Sequence, residues 1–270
     1  MAEEFLVRIA ILATAGVIVG YASGLFGIGG GVILVPTFLT TFPRFGASPE
    51  VVMHCAVGTC LALVVPAAIA STRKHYALGN VELDLLRSWL PWVALGTLVG
   101  VLTVELLRAR DLKMIFTLYL IATTLYVAAR KASEAGEEGR PPAIVRAVGG
   151  SIIGDLSVWL GLGGGTFAVP FFRAFHYPIK KSIAVSAATG LVIGFGGAAG
   201  AIYHGWGVAG RTSYSIGYVD GMALAVIGPI VMLTAPLGAK AASGASEMLL
   251  KWVYVALLGG IAAYMAVRTF

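Results

Sequence analysis

Apolar residues run along this chain in blocks of roughly 16 to 25, each closed by a short charged link. The first covers Phe5 to Phe26, a shorter one Val32 to Phe42, and three more His54 to Ser71, Trp89 to Leu107 and Met114 to Ala129. At about 1.5 Å of rise per residue, a full block crosses the ~30 Å hydrocarbon core of a bilayer. Val32 to Phe42 instead predicts a half-length helix, closed by Pro43, Arg44 and Pro49. Gly, Ala and Leu fill the blocks without strict alternation, which predicts helices rather than the strands of a membrane barrel. Beyond the polar stretch Arg130 to Pro142 the order returns: Ala143 to Leu160, the short Thr166 to Phe175, then Ile183 to Ile202, Met222 to Ala235 and Lys251 to Val267.

The return is visible residue by residue at one motif. Gly20-Tyr-Ala-Ser-Gly-Leu-Phe-Gly-Ile-Gly-Gly-Gly-Val-Ile-Leu-Val-Pro36 reappears as Gly154-Asp-Leu-Ser-Val-Trp-Leu-Gly-Leu-Gly-Gly-Gly-Thr-Phe-Ala-Val-Pro170, with eight of seventeen positions identical. Weaker matches follow in order: Ala56 to Thr59 against Ala184 to Ala187, His75 near His204, and Pro91 with Gly100 near Pro229 with Gly238. Two repeats of about 130 residues are expected, at 1–132 and 143–270, with a polar linker at 133–142. Three consecutive glycines inside an apolar run mark a break, since each costs about 1 kcal/mol against alanine in a helix. The expected fold is an all-α polytopic membrane protein of two inverted structural repeats, their glycine-broken or re-entrant helices meeting near the bilayer midplane.

Composition fixes the solvent. With 58% hydrophobic and 12% charged residues and a mean hydropathy of +0.89, the chain exposes too much apolar surface for a water-soluble domain. The net charge of +6 suits an anionic substrate, but most Lys and Arg sit in the links, where membrane orientation accounts for them. If each half crosses the membrane an odd number of times, twelve of the 19 Lys and Arg share one side; an even number leaves ten against nine. The positive-inside rule therefore favours the inverted arrangement, multi-pass with both termini outside, although Arg108, Arg110 and Lys113 run against it. Cys55 and Cys60 have no histidine or carboxylate to complete a metal set and read as small core residues. The acidic start, Met1 to Phe5, lacks a basic n-region, so no cleaved signal peptide is expected.

Candidate chemistry follows from the breaks. A Gly-x-Gly-Gly-Gly turn leading into a short helix leaves N–H groups without intrahelical partners at membrane depth. Gly27, Gly29, Gly30 and Gly31, and Gly161, Gly163, Gly164, Gly165 and Thr166, thus form candidate anion cradles at the positive ends of two half-helices. Close helix packing through small residues is the competing account, but that needs glycines spaced by four rather than in a run. Ser23 and Ser157, one turn before Gly27 and Gly161, either face the same cavity or bond their own helix carbonyls. Thr59 and Ser186 are candidate cavity hydroxyls through the repeat alone. Asp155 lies within an apolar run, where a carboxylate is expensive, and its repeat partner is Tyr21; it is a candidate for coupling to a proton or for pairing with a cation. His75 and His204 either titrate near neutral pH or sit at the interface bonded to headgroups or backbone.

The doubled motif, with His54-Cys-Ala-Val-Gly-Thr59 after the first break, resembles the TauE/SafE sulfite exporter family, also called the TSUP permeases, from about Ala13 to Val267. The resemblance implies a bacterial inner-membrane transporter of small sulfur-containing anions such as sulfite, sulfoacetate, thiosulfate or organosulfonates. Ser186-Ala187 in place of Gly58-Thr59 is where the second repeat departs from the first. The expected function is secondary transport by alternating access, export being favoured, with a passive anion channel, or an uptake permease for thiosulfate or carboxylates, as the alternative. The expected partners are a small anion, the lipid bilayer and a coupling proton or cation, with a homodimer allowed for; no cofactor, metal or nucleic acid is expected. An enzyme is excluded by the lack of His-Glu-x-x-His, Gly-x-Ser-x-Gly or paired aspartates, and a dinucleotide fingerprint by the lack of a βαβ setting.

Overall fold

The computed structural model describes residues 2–26, 30–129 and 139–270. Most of the linker expected at 133–142 lies outside them. The first half contains α1 (Ala2–Phe26), α2 (Gly31–Thr41) with a 3-10 turn at Phe42–Phe45, α3 (Val52–Ala77), α4 (Leu83–Val104) and α5 (Ala109–Ala129). The second contains α6 (Ala143–Leu160), α7 (Gly165–Ala174), α8 (Ile179–His204), α9 (Gly221–Gly244) and α10 (Glu247–Thr269). Among the described residues eight helices are long and apolar enough to cross a membrane, and α2 and α7 are the short ones. The chain is a multi-pass, all-helical membrane protein.

Several helices extend past their apolar blocks into the charged links. α4 starts at Leu83, ahead of the apolar block expected from Trp89, because the bilayer limits the apolar block but not the helix. Local caps fix these starts. The Arg108 N–H donates to Asp111 at 3.1 Å ahead of α5, Ser246 accepts from the Leu249 N–H at 3.3 Å ahead of α10, and Asp220 accepts from the Ala223 N–H at 2.7 Å ahead of α9. The sequence reading also missed a small antiparallel hairpin, β1 (Ser215–Ile216) and β2 (Val219–Asp220), between α8 and α9.

The helices pair in a pattern that survives exchange of the two halves. α1 packs on α9 as α6 packs on α4, while α3 meets α8 and α5 meets α10. Glycines set the closeness of the first two pairs. Gly16, Gly20 and Gly24, spaced by four, lie against Ile230, Thr234 and Ala235 of α9, and Gly96 and Gly100 of α4 lie against the backbone of Ser151 and Asp155 of α6. α3 is the central column: 72% of its apolar window is buried inside the protein, against 17% for α10. Cys55 and Cys60 sit in that column as free, buried thiols.

Contacts at the two ends fix the helix directions. At one end Arg8, early in α1, pairs with Asp220 ahead of α9 and stacks on Phe45 after α2, while the Ser48 N–H ahead of α3 donates to the Gly210 carbonyl at 2.8 Å. At the other, Lys181 at the start of α8 pairs with Glu82 ahead of α4. There Arg140 ahead of α6 donates to the Asp84 carbonyl at 3.1 Å, and Gly139 to that of Phe175 after α7 at 3.2 Å. α5 and α10 run antiparallel, with Thr117 against Thr269 and the Lys251 ammonium on the Ala128 carbonyl.

Candidate functional site

Each half delivers its broken helix to the middle of the molecule. α6 ends at Gly161, whose φ of 67° favours glycine. Its N–H reaches the Val158 carbonyl at 3.4 Å and the Leu162 N–H reaches that of Ser157 at 3.0 Å, which together close a Schellman cap. α7 opens with the bond from the Ala168 N–H to the Gly164 carbonyl at 2.8 Å, so the N–H groups of Gly165, Thr166 and Phe167 precede the helical ladder. α2 opens on Gly30, with a φ of 77°, whose carbonyl accepts from Ile33 and Leu34 at 3.0 and 2.9 Å.

The two breaks touch. A side chain at Gly31 would collide with the Gly161 carbonyl oxygen. Gly161 lies on α3, where an added Cβ would stand 2.9 Å from the Val57 Cα, and Gly164 lies on α8, where one would stand 2.8 Å from the Thr189 side chain and 2.9 Å from the Ser186 carbonyl oxygen. α2 and α7 start from this meeting point and run to opposite ends of the protein, so both present their positive N-termini to it. Ser157 is fully buried beside it, and its hydroxyl oxygen has no hydrogen-bond partner among the described residues. The hydroxyl of Thr166 donates to the Gly163 carbonyl at 3.0 Å.

The structure thus gathers Gly30, Gly31, Ser157, Gly161, Gly163, Gly164, Gly165, Thr166 and Ser186 around one point. Gly27 and Gly29 lie outside the described residues, and Ser23 is half-buried near the end of α1. Thr59 is fully buried but already engaged, donating to the Cys55 carbonyl at 2.7 Å and accepting from the Asp220 N–H at 2.9 Å. Asp155 stands two residues before Ser157, about 200° around the helix. Its carboxyl is half-buried beside Thr103 of α4, away from the breaks. His75 closes α3 with Asn80 at one end of the molecule, and His204 closes α8 at the other.

Sequence reading missed a buried polar cluster around Asp220. This carboxylate is fully buried and accepts from Arg8, Thr212 and the Ala223 N–H, while Arg8 is 5% exposed and packs on Phe45 and Tyr214. Arg8 inside the first apolar block was a signal of the same kind as Asp155. Next to this cluster, His54, Glu105, His204 and Tyr218 surround a cavity of about 20 Å³ bounded below by Gly58 and Gly197, with room for about one water. Thr97, another buried hydroxyl without a partner among the described residues, lies one turn below the cavity wall at Val101.

Eight apolar helices, paired in the same way within an exchangeable pair of halves and meeting at two glycine breaks, define a polytopic membrane protein of the transporter class. A sequence model of the sulfite exporter TauE/SafE family matches residues 12–265, and the chain belongs to that family. It is 33% identical over 227 residues to a probable membrane transporter protein of Haemophilus influenzae, covering 84% of this chain and 86% of the relative. It is 29% identical over 273 residues to a probable membrane transporter protein of Methanocaldococcus jannaschii, covering 97% of each. No solved structure matches the chain. Both relatives are named as probable membrane transporters rather than as enzymes, and the chain is a membrane transporter of the TauE/SafE type.

Proposed function

We propose that the protein is a secondary transporter that exports small sulfur-containing anions, namely sulfite, sulfoacetate or related organosulfonates, by alternating access of two inverted repeats. The observation that carries this reading is the meeting of the two breaks beside a fully buried Ser157 hydroxyl that has no partner among the described residues. Main-chain N–H groups and two helix N-termini offer an oxyanion several donors without a fixed countercharge, and Ser157 and Thr166 add hydroxyls. A site of that kind binds strongly enough to select its ligand yet leaves no buried lysine or arginine to hold it. Sulfite and the direction of transport come from the family's name.

Support for the inverted arrangement comes from helix direction: α1, α3 and α9 begin at the Arg8 end, whereas α4, α6 and α8 begin at the Lys181 end. The positive-inside rule assigns the Lys181 end, which also carries Arg87, Arg140 and Lys251, to the cytoplasm, and so both termini to the outside of a bacterial inner membrane. The test is reconstitution into vesicles with a panel of sulfite, sulfonates, thiosulfate and carboxylates. Saturable exchange of sulfite or sulfonates that responds to an imposed ion gradient is the expected result. Linear, gradient-insensitive flux would make the protein a channel, and carboxylate selectivity would overturn the substrate class.

A further inference from the structure

The four side chains around the small cavity at the Arg8 end come from four separate elements. His54 lies on the first turns of α3, Glu105 caps the end of α4, His204 ends α8, and Tyr218 sits in the turn of the β hairpin. The His54 and Tyr218 rings are 5.3 Å apart, and the His54 Nδ1 is buried without a hydrogen-bond partner among the described residues. A buried, unpaired ring nitrogen costs free energy unless a water or a proton acceptor reaches it, and the adjoining cavity has room for about one water. The set contains two bases, one acid and one phenol, which suits proton transfer through a water better than the capture of an anion several times that volume. Among the described residues no three His, Cys, Asp or Glu side chains come together to hold a metal ion.

We propose that His54, Glu105, His204 and Tyr218 form a proton-binding site that takes up the proton coupled to anion movement at the Arg8 end of the transporter. The proposal rests on the transport reading for its role but not for the binding itself. A proton from solvent is shared among the two imidazoles and the Glu105 carboxylate through the cavity water. Loss of solvent pushes the Tyr218 phenol up to about 12, with the charges of Glu105 and Cys55 acting in the same direction and Arg211 against it. Tyr218 therefore stays a neutral hydrogen-bond partner throughout the range in which histidines change charge. Among the groups facing the cluster, Cys55 belongs to α3 and Arg211 to the loop before the hairpin; α6 contributes only the apolar Val158. Asp220, bonded to the Thr59 of α3, is neutralised by Arg8. The cavity is walled by Gly58 of α3, Val101 of α4, Val158 of α6 and Gly197 of α8, so the site adjoins the four helices that flank the breaks.

Two readouts test it on the full-length protein in lipid nanodiscs and vesicles. Histidine ring NMR follows each imidazole through the pH range. His204→Gln and Glu105→Gln are each expected to move the His54 midpoint, as coupled sites require, whereas His75→Gln leaves it in place. Independent midpoints would overturn the site. In vesicles the probe is a sulfonate, whose own charge does not change near neutral pH as that of sulfite does. An inward proton gradient should accelerate wild-type flux several-fold, and His54→Gln and Glu105→Gln should lose that acceleration, each read as a ratio to its own gradient-free exchange. Variants that still follow the gradient would overturn the coupling role. Wild-type protein that carries no sulfonate would defeat the transport reading instead, and the NMR titration would still decide the site.

Discussion

Gly164→Ala asks whether the breaks must stay in contact with the central helices. An added methyl at this position would stand 2.8 Å from the Thr189 Cβ and Cγ2 and 2.9 Å from the Ser186 carbonyl oxygen. Bringing 2.8 Å out to the 3.4 Å of an ordinary contact needs a shift of about 0.6 Å. Thr189 cannot easily yield, because its hydroxyl donates to the Val185 carbonyl at 2.8 Å and accepts from the Trp89 ring N–H at 2.9 Å. The start of α7 must move instead, at a cost of about 1 to 3 kcal/mol typical of overpacking. That start carries the N–H groups proposed to hold the anion, so maximal flux is expected to fall by about tenfold or more, a factor of ten being about 1.4 kcal/mol. Gly260→Ala is the control: nothing lies near its added methyl, and alanine favours the helix. Both variants would be reconstituted at matched amounts, checked for monodispersity in detergent, and assayed for sulfite efflux from vesicles. Wild-type efflux from a well-inserted Gly164→Ala protein would refute the claim that the geometry of the break governs transport.

Ser157→Ala removes a buried hydroxyl that has no partner among the described residues, so thermal stability in detergent should hold or rise by about 1 kcal/mol while affinity for sulfite drops; a fall in stability with unchanged affinity would make Ser157 structural. Asp220→Asn leaves the buried Arg8 charge without its counterion and should destabilise the protein by about 3 to 5 kcal/mol, measured as a lower thermal midpoint, with Arg8→Met partly rescuing the double variant. Asp155→Asn, at the α4–α6 crossing and away from the breaks, should leave sulfite affinity intact and alter at most the pH dependence of flux; a large loss of affinity would place the carboxylate at the substrate. Cysteines introduced beside Arg73 and beside Arg211 should label from opposite faces of sealed vesicles, and labelling from the same face would sink the inverted arrangement.

What could be read from sequence divides by the range of the interactions involved. The half-length helices α2 and α7 and the breaks before them were legible because glycine runs and apolar length act locally, through backbone entropy and the thickness of a bilayer. That Gly31 and Gly161 would touch was legible only as a consequence of the repeat, since no local property of either segment names its partner. The glycine runs make the breaks, but Gly16, Gly20 and Gly24 also carry the spacing by four that close packing needs, and it is these that let α1 lie against α9.

Asp155 and Asp220 show where the same rule gave unequal results. Both are carboxylates next to apolar blocks, and cost alone makes Asp155 the more conspicuous because it stands inside one. Cost, however, depends on what surrounds the group, and the chain places Asp155 half-buried beside Thr103 while it buries Asp220 completely. Asp220 can be buried because three donors converge on it: Arg8 from the far end of the sequence in α1, and, close by in sequence, Thr212 from the loop and the first turn of α9. Arg8 is 212 positions away, and only the packing of α1 on α9, made possible by glycines, brings its charge to the carboxylate. The acid that the fold invests in structure was therefore hidden by its one long-range partner, Arg8. By the same argument, the side chains worth testing for coupling are those with a buried polar atom that lacks a partner among the described residues, a set that holds His54 and, through its Oδ1, Asp155, and not Asp220.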